Sequence, residues 1–171
     1  MSYRVETQQD FVAGLRLSWV SATQITIGAG RCADSNGRQL VRSASTLTVD
    51  ITVSGAGGLD TGTEASGTWY AVYLIAGPTG IAGLLSTSAT TPTKPAGYPF
   101  ARRVGWIKND GSSDLAPFQQ SGGDRNRIYD WNIDKNSLLV LSSCAAATYT
   151  SVDCSAYIPS TSINAYCLVL A

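Results

Sequence analysis

Apolar side chains return at every second position along this chain, and that period constrains its fold more than any other feature. In residues 46–53, Leu47, Val49, Ile51 and Val53 point one way while Thr46, Thr48, Asp50 and Thr52 point the other. Period two is the geometry of a strand with one face buried and one face wet. Leu15, Leu17 and Trp19 alternate with Arg16 and Ser18, and Ile25 and Ile27 follow across a short turn, which predicts a hairpin. Asn36-Gly37 lies between Cys32 and Leu40 and predicts a second hairpin with positive φ at both turn positions. Residues 69–75 differ. Trp69, Ala71, Tyr73 and Ile75 share one face, Tyr70, Val72 and Leu74 the other, and both faces are apolar. That pattern predicts a central strand covered on two sides.

The connections carry their own signals. GAGGLDTGT, residues 55–63, has the glycine density of a phosphate loop but lacks the Lys-Ser/Thr that such a loop requires, so it reads as a flexible strand connection. Pro92, Pro95 and Pro99 make TTPTKPAGYPF, residues 90–100, an extended surface loop. Residues 102–108 and 115–119 flank the polar turn NDGSSD, which predicts a third hairpin with Gly111 in the left-handed conformation. The Asp110 and Asp114 carboxylates in that turn match no complete calcium loop. After a second polar connector, SGGDRNR, residues 128–131, 138–142, 148–152 and 165–170 read as further strands. Nowhere do apolar residues recur at three-and-four spacing, and the sole candidate helical turn lies near residues 7–11. Composition agrees, with 17 Gly, abundant Ser and Thr, and few of the Lys and Glu that coat helices. The expected fold is all-β, an antiparallel β-sandwich or jelly roll of about 10–12 short strands. It comprises a short N-terminal arm, residues 1–13, and one β-sandwich domain, residues 14–171.

The absence of histidine excludes serine–histidine triads, histidine zinc sites and histidine pH switches. Charged residues make up 14% of the chain and cancel to a net charge of zero, so no broad basic field exists for nucleic acid or an anionic membrane. The one basic doublet, Arg102-Arg103, points to opposite faces of its strand. The longest apolar runs are far shorter than the roughly 20 residues a bilayer requires, so no membrane insertion is expected. MSYRVETQQDF lacks the cationic start and apolar run of a secretory signal, and export by that route is not expected. Cys32, Cys144, Cys154 and Cys167 form no CxxC pair. They read as buried free thiols, with a Cys144–Cys154 bridge across a hairpin as the alternative. Asp50, Asp60, Glu64, Asp124, Asp130 and Asp134 read as turn residues or solvent faces of strands rather than an acid–base pair. The expectation is no enzyme, no cofactor and no metal.

The aromatic residues supply the candidate contact sites. Trp69, Tyr70 and Val72, on the strand that is apolar on both faces, are candidates for an assembly interface in a homo-oligomer. Tyr3, Val5 and Phe11 are apolar anchors in an otherwise polar arm, suited to ordering on a partner. Tyr98, between Pro95 and Pro99, is the candidate glycan contact.

Four stretches carry a family resemblance: GLRLSWVSATQITIGAG at 14–30, GTWYAVYLI at 67–75, AGLLSTSATTPTKPAGYPFARRVGWIKNDGSSDLAPF at 82–118 and YTSVDCSAYIPSTSINAYCLVL at 149–170. Together they resemble the small β-rich virion proteins, of tail or tail-fibre type, of tailed bacteriophages and prophages, and 82–118 is the most specific stretch. The resemblance implies a non-enzymatic structural protein of the virion: a tail fibre, tail tip or baseplate component, with a capsid decoration (cement or head-fibre) protein as the alternative. A glycan-binding host adhesin module is a third reading. It further implies other virion proteins as partners, a host surface glycan as a possible contact, a trimer as the favoured oligomer, and synthesis in the host bacterial cytoplasm before incorporation into the particle. Cys154 and Cys167 stand where the resemblance leads one to expect aliphatic residues, which implies buried thiols there.

Overall fold

The structure, a computed structural model, describes residues 10–124, 126–131, 148 and 151–166. The chain divides into two units, Met1–Asn132 and Ile133–Ala171, where the sequence predicts a single domain from 14 to 171. The described residues hold eleven strands and no helix: β1 (Val12–Gly14), β2 (Leu17–Trp19), β3 (Gln24–Ile27), β4 (Gly30–Ala33), β5 (Leu40–Ser43), β6 (Leu47–Asp50), β7 (Trp69–Gly77), β8 (Gly80–Ser86), β9 (Phe100–Lys108), β10 (Phe118–Gly122) and β11 (Arg127–Trp131). They pair antiparallel in the orders β1-β4-β5, β2-β3-β6, β8-β7-β9 and β10-β11. The chain is all-β, as expected.

β7 is the hub, and its residues explain why. Aromatic and β-branched side chains fill it, and such residues fit a pleated surface packed on both sides. Tyr70, Val72, Leu74 and Ala76 enter the main core, with Leu17, Ile25, Ile27, Val49 and Ile51 among the residues of that core. Ala71, Tyr73 and Ile75 point the other way, into a second cluster with Leu84 and Trp106. That second face is covered by the chain itself. Residues 87–99 run across it, with Ala89 and Tyr98 packed on the cluster. The Tyr73 hydroxyl donates to Ser88 O at 2.9 Å, and Arg103 Nη1 donates to Ala89 O. Thr93 N donates to Asp60 Oδ2 at 2.9 Å and Lys94 Nζ to Pro99 O at 2.7 Å. Three prolines keep this strap extended without a ladder partner.

Both edges of the same sheet are also sealed. Along β8, Gly57 N donates to Gly83 O at 2.8 Å, Leu85 N to Gly58 O at 2.7 Å and Asp60 N to Leu85 O at 2.8 Å. The glycine-rich segment is therefore fastened to the sheet rather than a loose connection, with Leu59 buried beneath it and positive φ at Gly55 and Gly57 allowing the path. Along β9, Ser35 N donates to Ala101 O at 2.9 Å, Arg127 Nη1 to Val104 O at 3.0 Å and Trp106 N to the Tyr129 hydroxyl at 3.2 Å. A bulge in β9 at Val104 shifts the register between Val72 and Tyr73; before it, Arg103 opposite Tyr73 and Arg102 opposite Leu74 face opposite sides, as expected.

Two predicted hairpins form: β2–β3 with Leu17 opposite Ile27 and Trp19 opposite Ile25, and β4–β5 with Cys32 opposite Val41. In the second, Gly37 takes positive φ and Asn36 does not. Buried Asp34 closes this wider turn, its carboxylate accepting from Arg38 N at 2.6 Å and Gln39 N at 2.7 Å.

Three expectations are corrected. The strand predicted over 46–53 ends at Asp50, whose carboxylate accepts from both the backbone N and the hydroxyl of Thr52 and turns the chain, leaving Val53 exposed. The third hairpin shrinks to the bridge between Asn109 and Leu115 plus an Ala116 N to Lys108 O bond, because Pro117 has no N–H to extend the ladder. In its turn Ser113, not Gly111, is left-handed, held by Asp110 Oδ1 accepting from Ser112 N and Asp114 N. In the second unit Thr148, Ser151, Val152, Ala165 and Tyr166 are not in strands; turns at Cys154–Tyr157 and Pro159–Ser162 occupy the stretch between them. The strand predicted over 138–142 lies outside the described residues; of the helical turn predicted near 7–11, residues 7–9 lie outside them, while Asp10 sits in a turn and Phe11 is in neither a helix nor a strand.

The fit of β8 against β3 and β6 is tight enough to test. A Cβ at Gly83 would run into Val49 Cγ2 and approach Ile27 Cδ1 at 3.0 Å, whereas Gly111, with an ordinary φ, faces open space. Gly83→Ala is expected to lower unfolding free energy by about 1–3 kcal/mol in urea titrations. Gly111→Ala is expected to change it by less than about 0.5 kcal/mol.

Candidate functional site

The side chains with chemical potential fall into three groups, and the first is built on β11. Alternation along that strand aims Tyr129 and Trp131 inward and leaves Ile128 and Asp130 exposed. Trp131 stacks on Tyr129 at 5.5 Å and meets Trp69 edge-on at 5.1 Å and Phe118 at 5.5 Å. Lys108 Nζ sits 5.2 Å over the Trp69 ring. The Tyr129 hydroxyl, over Gly105, accepts from Trp106 N and from Gln120 Nε2 at 2.7 Å, while Gln120 Oε1 accepts from Leu17 N at 2.9 Å. Burial pushes the Tyr129 hydroxyl pKa above its ordinary value. Next to it, Arg127 donates to the carbonyls of Gly14, Leu15 and Val104. Gly14 and Leu15 both have positive φ, a conformation unfavourable for leucine, and the charge-assisted bonds to their carbonyls hold that corner. Burial pulls the Arg127 pKa below its usual value. These residues fasten the β10–β11 hairpin to the core.

The carboxylates are the second group. Asp34, Asp50 and Asp110 accept from turn backbone N–H groups, Asp60 from Thr93 N and Asp124 from Gly14 N. Glu64 accepts from Asn109 Nδ2 at 3.1 Å. Hydrogen bonds from Thr52 and Gln24 hold the Asp50 carboxyl below the usual carboxylate range. Asp134 lies outside the described residues. Among the described residues no three metal-ligating side chains come together.

The third group was missed by sequence reasoning. On the outer face of β1-β4-β5, Arg31 and Arg42 stand directly opposite one another, both exposed. The Arg31 guanidinium lies 5.6 Å over the half-buried Phe11 ring, and Leu40 is exposed beside them. Asp10 reaches Arg102 at 3.0 Å, the one ion pair among the described residues, and among those residues no carboxylate pairs with Arg31 or Arg42. Like charges directly across a ladder repel. The signal was available: a turn centred on Asn36-Gly37 already sets position 31 opposite 42.

The predicted site residues are dispersed. Tyr70 and Val72 are 2% and 0% exposed, pointing into the main core, and the Tyr70 hydroxyl accepts from Ala65 N at 2.9 Å. Buried there against Leu17, Ile25 and Val49 of their own chain, these two side chains present no surface to a second subunit, which corrects their assignment to an assembly interface; residues 87–99 cover the opposite face, that of Ala71, Tyr73 and Ile75. Trp69 is half-buried in the β11 cluster, Tyr98 is half-buried as the plug that anchors the strap, and Phe11 lies under Arg31. Tyr3 and Val5 lie outside the described residues. Comparison of the chain with protein-family models, with curated proteins and with solved structures finds no significant match.

Cys32 is a free thiol buried in the main core, and Cys154 is a free thiol half-buried in the second unit rather than fully enclosed. Cys144 and Cys167 lie outside the described residues. Burial pushes the Cys32 thiol from 9.0 up to about 11. The neutral form is thus favoured by folding, so its stabilising contribution is complete below pH 9.0 and is lost as the pH rises through about 11. Alkylation followed by peptide mass mapping at neutral pH is expected to label Cys154 in the native chain and Cys32 only after unfolding. Cys32→Ala is expected to flatten the alkaline fall in stability across that interval.

Proposed function

We propose that this chain is a non-enzymatic structural protein of a tailed-bacteriophage particle, placed on the tail as a fibre, tip or baseplate component. The observation that carries the reading is where the resemblance falls. Residues 82–118, the stretch on which the sequence resemblance chiefly rests, contribute β8, the proline strap and β9, the parts that complete and cover the central sheet. The resemblance therefore concerns a scaffold rather than a reactive cleft, and the polar side chains around that scaffold serve to fasten loops and edges. In this reading the sheets form a sandwich around the main core and the arm, with Tyr3, Val5 and Phe11, tethers the protein to its neighbours in the particle.

Mass mapping of purified particles tests the proposal. The chain is expected among the virion proteins at a few to some dozens of copies. Hundreds of copies place it on the capsid as a decoration protein, and absence from particles overturns the virion reading. Deletion of residues 2–10 is expected to block incorporation while leaving the melting temperature unchanged, since the arm's one described ion pair joins Arg102 to a highly exposed Asp10 and such pairs contribute about 0–1 kcal/mol.

A further inference from the structure

The chain is neutral in sum, but its charges are sorted along β9. At the start of β9, Ser35 N and its hydroxyl bond to Ala101 O and Arg102 pairs with Asp10. This brings the β4–β5 hairpin to that end, with Arg31, Arg38 and Arg42 exposed and no carboxylate paired to any of them among the described residues. The hairpin's one acid, Asp34, is buried and its carboxylate is spent on the turn, and the exposed carboxylates nearest that end are taken by Arg102 (Asp10) and by Gly14 N (Asp124). Just beyond the far end of β9, Gly67 N bonds to Asp110 O, and Asn109 Nδ2 bonds to Glu64 and to Ala65 O. Glu64, Asp110 and the exposed Asp114 gather there against a single cation, Lys108, which donates to Gly67 O at 2.6 Å and covers Trp69.

β9 is nine residues long. At about 3.3 Å per residue the first and last residues of β9 are about 26 Å apart, more than two screening lengths at 0.1 M salt. Within one copy the two ends therefore do not neutralise each other. Contact between copies does so, and it relieves the repulsion between Arg31 and Arg42. We propose that copies of this chain associate head to tail, the basic end carrying Arg31 and Arg42 seated on the acidic end carrying Glu64 and Asp114 of the next. Both complementary surfaces belong to one chain, which is what selects a second copy over a foreign acidic partner, and a net charge of zero removes the long-range repulsion that keeps copies apart. A contact of this kind closes into a ring or continues as a filament, according to the rotation between copies. The inference concerns self-association and does not depend on the virion reading.

Sedimentation velocity of the full chain, in low and high salt, tests it with two charge-reversed variants. Arg31→Glu with Arg42→Glu makes both ends acidic; Glu64→Lys with Asp114→Lys makes both ends basic, leaving Asp110 to hold its turn. The wild-type chain is expected to associate in low salt and to weaken at least about tenfold as salt shortens the screening length. Each variant alone is expected to be monomeric under the same conditions, and an equimolar mixture of the two to associate again. Asp114→Lys alone, at an exposed side chain whose carboxylate accepts no hydrogen bond among the described residues, replaces the second variant if the double change lowers the melting temperature. A monomeric wild-type chain in low salt, variants that associate as the wild type does, or a mixture that stays monomeric would each overturn the proposal. Wild-type association displaced by an added acidic polypeptide but not restored by mixing would show that the basic end serves a foreign partner instead.

Discussion

Seven consecutive buried positions on β7 set the terms for the rest of the first unit. A strand apolar on both faces needs cover on both sides, and a three-stranded sheet around it leaves two edges whose backbone groups need partners. Each requirement is met by a different stretch of chain. The main core covers one face and residues 87–99 the other, while the glycine-rich segment seals β8 and the β10–β11 hairpin, through Arg127 and Tyr129, seals β9. Loops that look like spacers in the sequence are structural parts, and their polar side chains are spent on holding them down.

That economy limits where function can reside. The carboxylates at Asp34, Asp50 and Asp110 shape turns, and the aromatic side chains of Trp69, Tyr129 and Trp131 pack on each other. What the fold does not consume is charge, basic at one end of β9 and acidic at the other.

The two-sided burial of β7, the β2–β3 hairpin and the β4–β5 register were legible because each depends on local alternation or on one turn dipeptide. Strand ends were less so. Asp50 stops β6 although Ile51 and Val53 continue the alternation, because a carboxylate that bonds its own backbone two residues on competes with the ladder. Pro117 stops the β9 pairing for a reason visible in the sequence but outweighed by the polar turn before it. The fastening of residues 55–60 to β8, and of 87–99 over Tyr73, depends on contacts between stretches far apart in the chain, for which no local pattern codes. A strand apolar on both faces has two possible covers for each, another subunit or a distant stretch of its own chain, and the alternation along β7 does not say which cover the face of Tyr70 and Val72 meets.

Native-state hydrogen exchange, resolved by residue along β7, tests this account most directly. Enclosure of both faces and both edges predicts that the amides of residues 70–76 exchange only through global unfolding, at the slowest rates in the first unit, and that those of residues 83–85 approach them because the glycine-rich segment protects β8. Exchange of residues 70–76 at the rate of the exposed turn at 111–114 would contradict it, since the face under the strap would then be open to water.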